Sequence, residues 1–547
     1  MNQNNRDENG QEITFFAPGQ LAFLVEHAEP FDPGRIIEGL QAHPLMRDAR
    51  LRKVEFSAER VLTFAPQQPY SQPEQGLGAS QQFPFRHRTL RDAVIGLVPF
   101  LRPEAPPARR GSHTLLFGDL VLPDDEMLRL VDDSDHLLQE FKDAAPGGVA
   151  LRAVTPNWLS AGAPYHIGTG GPGAQPVPVE VEAGAAWHTA SADVEGAPFS
   201  FELPPALRDT SPGNGVQVAI LDTAPTAEAM KEAYKKWHAD HPILRGLLGP
   251  TGELPSARLR LLAGDRALFD RLNSEDGGFQ IDGHRYDMSD HGLFIAGIIH
   301  SIAPQAMLTL VRVLNDFGVG TLETITRGLH TVYGLRDRSR PLIVNMSLTL
   351  SIPLKGHRQP HFGPKRLFSD EGFVKRMGSP LEWTCDLLEA DGVMIVAAAG
   401  NDGQNGHRPY ARQPAAFDSV IGVGALGRDG KPARYSNLAD RPSPIGIATF
   451  GGDARSEVQT LSADPEGGVM GVYIGRFPDG SPSENGWARW AGTSFAAPVI
   501  SGVLARLRST VYSPEDALRK VYEAQADVTP SPALEEIFTM VQGGRRL

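Results

Sequence analysis

Short apolar segments, separated by patterns typical of helices, dominate the chain from Val216 onward. Near-continuous apolar runs of this kind are typical of strands that are buried on both faces of a parallel sheet. The helical patterns between them complete β-α-β units. The runs are Val216–Leu221, Met307–Leu314, Leu342–Met346, Val393–Ala398 and Val420–Ala425. We therefore predict one large α/β domain over residues 216–547, closed by one or two helices from Pro514 onward.

The preceding part of the chain alternates strand and helix patterns over shorter distances. The predicted strands are Leu21–Val25, Leu51–Phe56 with Val61–Phe64 pairing to it, Thr114–Val121 and Gly148–Val154, and the predicted helices are Pro33–Ala42 and a segment near Asp132–Lys142. This order predicts a small α+β, ferredoxin-like domain over residues 13–160, after a disordered polar tail at 1–12. The Pro-, Gln-, Ser- and Gly-rich stretch 66–85 predicts a loop within that domain. From Pro156 periodicity is lost, which predicts a linker or surface arm over residues 161–215.

Composition narrows the class of protein. The chain has 547 residues, a formal net charge of −13, 41% hydrophobic and 21% charged residues, which is ordinary for a globular protein with a large core. A negative balance argues against a nucleic-acid binder, which usually carries a basic field. Cys385 is the single cysteine, so no intrachain disulfide forms, and we predict a small core residue there. No signal peptide or membrane span is predicted, so the expected location is the cytoplasm.

Three features suggest binding sites but have simpler interpretations. Residues 168–173 match the G-x-G-x-x-G pattern, yet no strand precedes them and Pro172 argues against a helix start, so we predict no dinucleotide site. His238 and His241 lie in a charged segment, 228–248, which predicts a solvated helix rather than a metal pair. The insertion 353–380 is rich in basic residues, which predicts an exposed loop. A sharper hypothesis makes this loop a rim that attracts acidic groups of a substrate or of the N-terminal domain.

Four polar residues stand at strand ends or helix starts, where α/β sheets bind ligands. Asp222 and Asn401 each follow a predicted strand, a position also typical of turns and caps. His291 lies in the first turn of a predicted buried helix, where both ring nitrogens need partners. Asp222 can serve one nitrogen and a hydroxyl the other. Ser494 begins another helix, and taken alone it fits a helix cap as well as a nucleophile.

The combination of these motifs resembles the subtilisin-like serine peptidases, the subtilases. The matching segments, in the order of that family, are Ala219–Thr223, Asp290–Gly297, Ala397–Asn401 and Gly492–Pro498. The resemblance covers roughly residues 216–508. It implies a catalytic triad of Asp222, His291 and Ser494, in which Ser494 attacks a peptide carbonyl and His291 moves the proton. It also implies that the side chain of Asn401 and the backbone N–H of Ser494 hold the oxyanion.

The resemblance further implies a substrate-binding set, which comprises Ser347, Leu348, Thr349, Ala398, Ala399 and Gly400. Four positions depart from the family pattern. Ala224 stands where the family usually has Gly, and Leu293-Phe294 replaces Thr-His after the histidine motif. Thr349 occupies a position that is often Gly, which leaves the shape of the first specificity pocket open.

Residues 148–159 resemble the last strand of the prodomains that many subtilases carry. This likeness implies a zymogen whose N-terminal domain inhibits the cleft and is cut off between about Leu159 and Gly215. An unrelated recognition domain is the alternative for that region. The implied chemistry requires no cofactor; subtilases often bind structural calcium, but the sequence assigns no ligands to it. The expected partners are a polypeptide substrate and the chain's own N-terminal domain.

Three other functions compete with an active endopeptidase. A catalytically inactive subtilase would serve as a binding or regulatory module, although all four catalytic positions are filled. An esterase of the α/β-hydrolase type has a different triad order and a final Gly where this chain has Ala496. A sedolisin-type acid peptidase would have acidic groups in place of His291 and Asn401. The triad predicts activity that rises towards neutral pH as His291 loses its proton, whereas an acid optimum favours a sedolisin.

Overall fold

A computed structural model provides the coordinates of this chain. The described residues are 16–27, 32–65, 112–140, 149–161, 174–179, 210–264, 287–352, 377–403, 408–440, 442–443, 445–456, 461–510 and 513–526. The predicted tail, the loop at 66–85, the G-x-G-x-x-G match and most of the basic insertion lie outside these residues. None of the described helices is both long and apolar enough to cross a membrane.

The N-terminal part forms an antiparallel sheet with two helices. Its elements are β1 (Phe16–His27), α1 (Pro33–Ala42), β2 (Glu55–Phe64), β3 (Ser112–Asp119), α2 (Asp124–Glu140) and β4 (Val149–Ala161). The strands pair in the order β4-β1-β3-β2, all antiparallel. The β-α-β-β-α-β sequence confirms the predicted α+β fold of this region.

Strands β1 and β3 begin earlier than predicted, at Phe16 and Ser112. Two further differences in this sheet are larger. Leu51–Lys53 forms a 3-10 turn, and one strand then runs from Glu55 to Phe64 with a register shift between Phe56 and Val61. The apolar residues that suggested two strands therefore belong to a turn and to one irregular strand. The last strand continues through Pro156 to Ala161 instead of stopping at Val154. Neighbouring strands on both of its edges, which the sequence does not reveal, account for the added length.

The second part of the chain is built around a seven-stranded parallel sheet. Its elements are β5 (Val177–Pro178), β6 (Gln217–Asp222), α3 (Ala227–Trp237), α4 (Pro242–Leu248), β7 (Leu259–Leu262), α5 (His291–Ile302), β8 (Met307–Arg312), β9 (Val319–Thr321), α6 (Leu322–Leu335), β10 (Leu342–Met346), β11 (Thr349–Leu350), α7 (Ser379–Ala390), β12 (Met394–Ala398), β13 (Ile421–Leu426), β14 (Ile447–Phe450), β15 (Ala454–Ser456), β16 (Leu461–Ala463), β17 (Val469–Val472), β18 (Trp487–Trp490), α8 (Thr493–Arg508) and α9 (Pro514–Ala526). The sheet order β14-β13-β12-β10-β6-β8-β7 is parallel throughout, which confirms the predicted α/β class.

Helices cover both faces of the parallel sheet, because alternate residues of each strand point to opposite sides. In β6, Val218 and Ile220 pack in one apolar cluster with α5 and α8. Ala219 and Leu221 pack in a second cluster with α6 and α7. This second cluster also contains the inner face of the N-terminal sheet, including Phe23. The N-terminal sheet thus shares its core with one face of the parallel sheet.

The segment 228–248, predicted as one solvated helix, is two helices. Pro242 begins α4, and its missing backbone N–H and its ring disfavour a helix that continues through this position, which favours the break between α3 and α4. His241 caps α4 by accepting from the backbone N–H of Leu244, and its Nε2 bonds to the carbonyl of Gly486 at 2.9 Å. Its ring is fully buried and stacks on Trp487 at 3.8 Å. The solvated interpretation of His241 is therefore wrong, and this histidine is a buried cap.

Candidate active site

Asp222 and His291 form a buried pair at the carboxyl end of the parallel sheet. Asp222 is the last residue of β6 and His291 the first of α5, and both side chains are fully inaccessible to solvent. The Nδ1–H of His291 donates to Oδ1 of Asp222 at 2.7 Å. The same oxygen accepts the backbone N–H of Thr223 at 2.7 Å. These two bonds fix both the carboxylate and the tautomer of the imidazole.

The second ring nitrogen of His291 remains available. Among the described residues, its Nε2 has no hydrogen-bond partner although the atom is buried. Aromatic rings surround the imidazole: those of Trp490 and Phe495 lie 5.2 and 5.3 Å away, centroid to centroid. A buried polar nitrogen without a hydrogen-bond partner costs free energy, so native proteins rarely retain one without a reason. This nitrogen is therefore a candidate for a catalytic role.

Ser494 is the second residue of α8 and directly precedes Phe495, whose ring contacts His291. Its side chain is almost completely buried, and its hydroxyl donates to the carbonyl of Ser347 at 3.3 Å. In return, the hydroxyl of Ser347 donates to the carbonyl of Ser494 at 2.8 Å. A bond between Ser494 and His291 is not among those of the described residues. Such bonds are often long before a substrate is bound.

Asn401 follows β12 and reaches the start of α8. Its Oδ1 accepts both the backbone N–H and the hydroxyl of Thr493, at 2.9 and 3.0 Å. A backbone N–H only donates, so this contact fixes which end of the amide is oxygen. The Nδ2 group is buried and has no partner among the described residues. Asn401 therefore holds a free pair of N–H donors beside the residue that precedes Ser494.

The predicted substrate-binding residues fall on two segments beside Ser494. Ser347 and Leu348 lie between β10 and β11, and Thr349 begins β11 and is fully buried. The other segment, 398–400, ends β12 and leads to Asn401. Two backbone N–H groups of this segment already have acceptors within the protein. The N–H of Ala399 donates to the carbonyl of Val423, and the N–H of Gly400 donates to the hydroxyl of Thr493.

The edge of β11 that is next to Ser347 is already occupied. Thr349 pairs with Ala161 and Leu350 with Ser160, both in β4. The backbone N–H of Ser351 also donates to the carbonyl of Leu159 at 2.8 Å. The opposite edge of β4 pairs with β9. The last residues of β4 therefore form the middle strand between β9 and β11, which both belong to the second part of the chain.

Asp290, next to His291, is a buried residue to which the sequence assigned no role. Its Oδ2 accepts the backbone N–H groups of Ile474, at 2.7 Å, and of Gly475. Burial raises the pKa of this carboxyl to about 7, and the two N–H donors only partly oppose that shift. The signal in the sequence is weak, because an Asp before a helix usually indicates a cap and the two N–H donors come from a distant loop.

No metal centre emerges from the described residues, where no three or more His, Cys, Asp or Glu side chains are grouped to hold an ion. Cys385 lies in α7, fully buried, and burial raises the pKa of its thiol well above the ordinary value. A thiol in such surroundings is poorly reactive. This location agrees with the prediction that Cys385 is a core residue.

Comparison with known proteins identifies the family. The model of the subtilase family matches residues 213–539, more than half of the chain, so the chain belongs to the subtilase family of subtilisin-like serine peptidases. Subtilisin DY of Bacillus licheniformis is 27% identical over 242 residues, which cover 42% of this chain and 68% of that protein. An intracellular serine protease of Paenibacillus polymyxa is 24% identical over 314 residues, 56% of this chain and 70% of that protein. Among solved structures, the self-cleaved protease domain of PatA is 24% identical with a TM-score of 0.35, covering 61% of this chain and 94% of that one.

Proposed function

We propose that this subtilase is a serine endopeptidase that uses Asp222, His291 and Ser494 as its catalytic triad. One observation carries the proposal: the imidazole of His291 is bonded to buried Asp222 through Nδ1, while Nε2 lacks a partner among the described residues. A histidine held in this way can take a proton from a hydroxyl and keep the resulting positive charge next to a carboxylate.

The proposed reaction begins when Oγ of Ser494 attacks the carbonyl carbon of a peptide bond and its proton passes to Nε2 of His291. Asp222 stabilises the imidazolium through Nδ1. The imidazolium then protonates the leaving amine, the C–N bond breaks and an acyl-enzyme remains on Ser494. A water molecule repeats the sequence and releases the carboxylic acid. Only side chains and water take part, so we propose that the reaction requires no cofactor.

Two N–H groups are proposed to stabilise the oxyanion, those of Asn401 and of the backbone of Ser494. Nδ2 of Asn401 is unpartnered among the described residues, and the amide is oriented by its contacts with Thr493. The backbone N–H of Ser494 lies in the first turn of a helix, where N–H groups have no acceptor within the helix. In subtilisin, a member of the same family, removing one such side-chain donor costs about 2.7–4 kcal/mol of transition-state stabilisation.

We also propose that the N-terminal domain inhibits the peptidase until it is cut off. The pairing of β4 with β9 and β11 supports this, because an extended peptide adds as a strand to an exposed sheet edge in the same way. A polypeptide substrate that used β11 would compete with Ser160 and Ala161 for the same edge. We expect self-cleavage on the C-terminal side of Ala161.

Two measurements on the purified full-length chain and on its Ser494→Ala variant test this function. A fluorophosphonate probe should label the wild type at Ser494 and leave the variant unlabelled. Intact mass should reveal a shortened chain in the wild type only, with the new end after Ala161. Asp222→Asn is a further control, because it retains the size of the side chain and should reduce labelling strongly.

The two parts of the proposal fail separately. A wild type that neither reacts with the probe nor hydrolyses peptides, even after an added protease has cut the chain between Ala161 and Gly215, would overturn the peptidase function and favour an inactive subtilase acting as a binding or regulatory module. Labelling without any difference in mass between wild type and Ser494→Ala would leave the peptidase intact and overturn self-processing.

A further inference from the structure

A buried ion pair lies directly beside Asn401. Asp402, the next residue in the chain, accepts Nε–H of Arg412 at 2.6 Å through Oδ2 and Nη2–H at 3.0 Å through Oδ1. Both side chains are buried, with 0% and 1% of their surface exposed. The two-pronged contact fixes the plane of the carboxylate against the plane of the guanidinium. This pair is absent from the proposed catalytic steps.

Asn437 extends the contact to the backbone on both sides of Asn401. Its Nδ2 donates to Oδ2 of Asp402 at 2.8 Å, and its Oδ1 accepts the backbone N–H of Asp402 at 2.8 Å. Its own backbone N–H donates to the carbonyl of Gly400 at 3.0 Å. Residues 400 and 402 are therefore both held by one side chain and its backbone, and the peptide units that carry Asn401 have little freedom.

Gly400 adds a steric reason for this close packing. Its φ of +111° is a conformation that residues with a side chain rarely adopt. A Cβ at this position would lie only 2.8 Å from Nδ2 of Asn437. The turn before Asn401 thus approaches the ion-pair network as closely as only glycine allows.

Arg412 connects this turn to β11 and to the residues that follow β11. Its Nη1–H donates to the carbonyl of Ile352 at 3.2 Å, and its backbone N–H donates to the carbonyl of Ala399 at 2.9 Å. The next residue, Gln413, accepts the backbone N–H of Leu350 at 2.8 Å. One arginine and its neighbour therefore connect the segment that leads to Asn401 with β11 and the residues after it, at the edge that β4 occupies.

We propose that Asp402 and Arg412 position Asn401, so that its Nδ2 group meets the oxyanion in the transition state. This proposal rests on the proposed peptidase function. A buried ion pair is a weak source of stability, because the loss of hydration offsets much of the attraction. Its geometric effect is different: catalytic donors must stay within about 0.5 Å of their productive position, and rigid neighbours provide that restraint. Arg412 and Asp402 touch no reacting atom and act through Asn401.

A double-mutant cycle separates positioning from a general structural role. Arg412→Lys retains the charge but loses the two-pronged contact, and Asp402→Asn retains the shape but loses the charge. Each is made in the wild type and in Asn401→Ala. The probe is a peptide p-nitroanilide, chosen from a library as the one that the wild-type chain hydrolyses fastest, with active sites counted by fluorophosphonate labelling. Arg336→Met is the matched control, because the pair of Arg336 with Asp391 is also mostly buried but joins α6 to the end of α7.

In the wild-type background, Arg412→Lys should lower kcat by about 10- to 100-fold while KM stays within about threefold, because the loss concerns the transition state. In Asn401→Ala the same substitution should lower kcat by less than about threefold, since the residue that it positions is already gone. Arg336→Met should leave kcat within about twofold in both backgrounds.

Losses of equal size in both backgrounds would overturn the role of Arg412 while leaving the peptidase function in place. If Arg412→Lys fails to fold, Asp402→Asn provides the same cycle; if neither variant folds, the pair stabilises the fold and the positioning role is rejected. A wild type that hydrolyses no peptide and resists the probe would overturn the peptidase function and this role together.

Discussion

Asp222 and Asp290 are both fully buried carboxylates near His291, but their partners differ. Asp222 accepts the imidazole N–H and one backbone N–H through the same oxygen. Asp290 accepts two backbone N–H groups through its Oδ2, and the second oxygen of each carboxylate has no partner among the described residues. Burial, with a smaller contribution from Asp287, raises its pKa to about 7. Its protonation therefore changes near neutral pH.

Asp290→Asn should change how the stability of the protein depends on pH. The pKa of Asp290 is raised from 3.8 to about 7 on folding. The contribution of this carboxyl to the free energy of unfolding is therefore largest below about pH 4 and is lost as the pH rises through about 7. Asparagine does not titrate. The free energy of unfolding of the variant, relative to wild type, should therefore increase by about 2–4 kcal/mol between pH 4 and pH 8.

Urea unfolding measures this difference, with both proteins in the Ser494→Ala background so that self-digestion does not interfere. A constant offset between the two proteins at all pH values would contradict the raised pKa, whatever the sign of that offset. The offset itself reflects the amide group of asparagine, which brings donors that the carboxylate lacks.

At the scale of single elements, β4 has two roles. Its first residues complete the N-terminal sheet, and its last three pair with β9 on one edge and β11 on the other. Pro156 of the same strand pairs with β1, but the last three residues of β4 have neighbours on both edges. Proline is disfavoured there, because it lacks the N–H that one neighbour requires. The end of β4 is therefore a place where the proposed inhibition can be weakened by one substitution.

Ser160→Pro should raise the peptidase activity of the full-length chain, and Ser160→Ala is the matched control. The hydroxyl of Ser160 is buried without a partner among the described residues, so alanine should leave the pairing intact. Loss of one or two main-chain hydrogen bonds should favour an open cleft by about fivefold or more. The measurement is the initial rate of hydrolysis of a labelled peptide per active site. Equal rates for the two variants would count against inhibition through β4.

The helices α3 and α4 illustrate how tertiary contacts change an element. The charged segment 228–248 has the composition of a solvated helix, yet His241 is buried against Trp487. Burial lowers the pKa of His241 to about 4, so the ring stays neutral near pH 7 and accepts the N–H of Leu244. The break at Pro242 was visible in the sequence, but the aromatic partner lies more than 200 residues further on.

At the scale of the whole molecule, the N-terminal sheet and the parallel sheet are joined by core and by charge. One apolar cluster extends from the N-terminal sheet through α6 and α7 to the parallel sheet. Within the same interface, Arg60 of β2 forms an ion pair with Glu323 of α6 at 2.7 Å, and Glu323 is 1% exposed. Arg327 contacts the same carboxylate at 3.0 Å. The two parts of the chain therefore form a continuous core.

Arg60→Met should destabilise the full-length protein by about 3 kcal/mol, because it leaves a buried carboxylate with one partner fewer. Arg50→Met is the control: the pair of Arg50 with Asp48 is partly exposed, and its loss should cost less than about 1 kcal/mol. Urea unfolding in the Ser494→Ala background measures both. Similar losses for the two variants would indicate that the pair of Arg60 contributes little to the interface.

The two edge strands of the parallel sheet, β7 and β14, are only 4 residues long each and were not predicted. The sequence alone was sufficient for the class of fold, the other five strands of that sheet and the positions of Asp222, His291, Asn401 and Ser494. Each of these features has a local pattern: an apolar run that ends in a polar residue, or a polar residue that begins an apolar helix. Local patterns follow from backbone geometry and burial, so they are readable along the chain.

Only the tertiary structure decided the contacts that join distant segments. Arg60 and Glu323 are 263 positions apart, and β4 meets β9 and β11 more than 150 positions further on. The approach of Arg412 to Asp402 spans just ten positions, but it depends on Asn437 and Ile352 to complete the network. Partners of this kind are set by how sheets and loops pack, and nothing in the residues next to either partner encodes them.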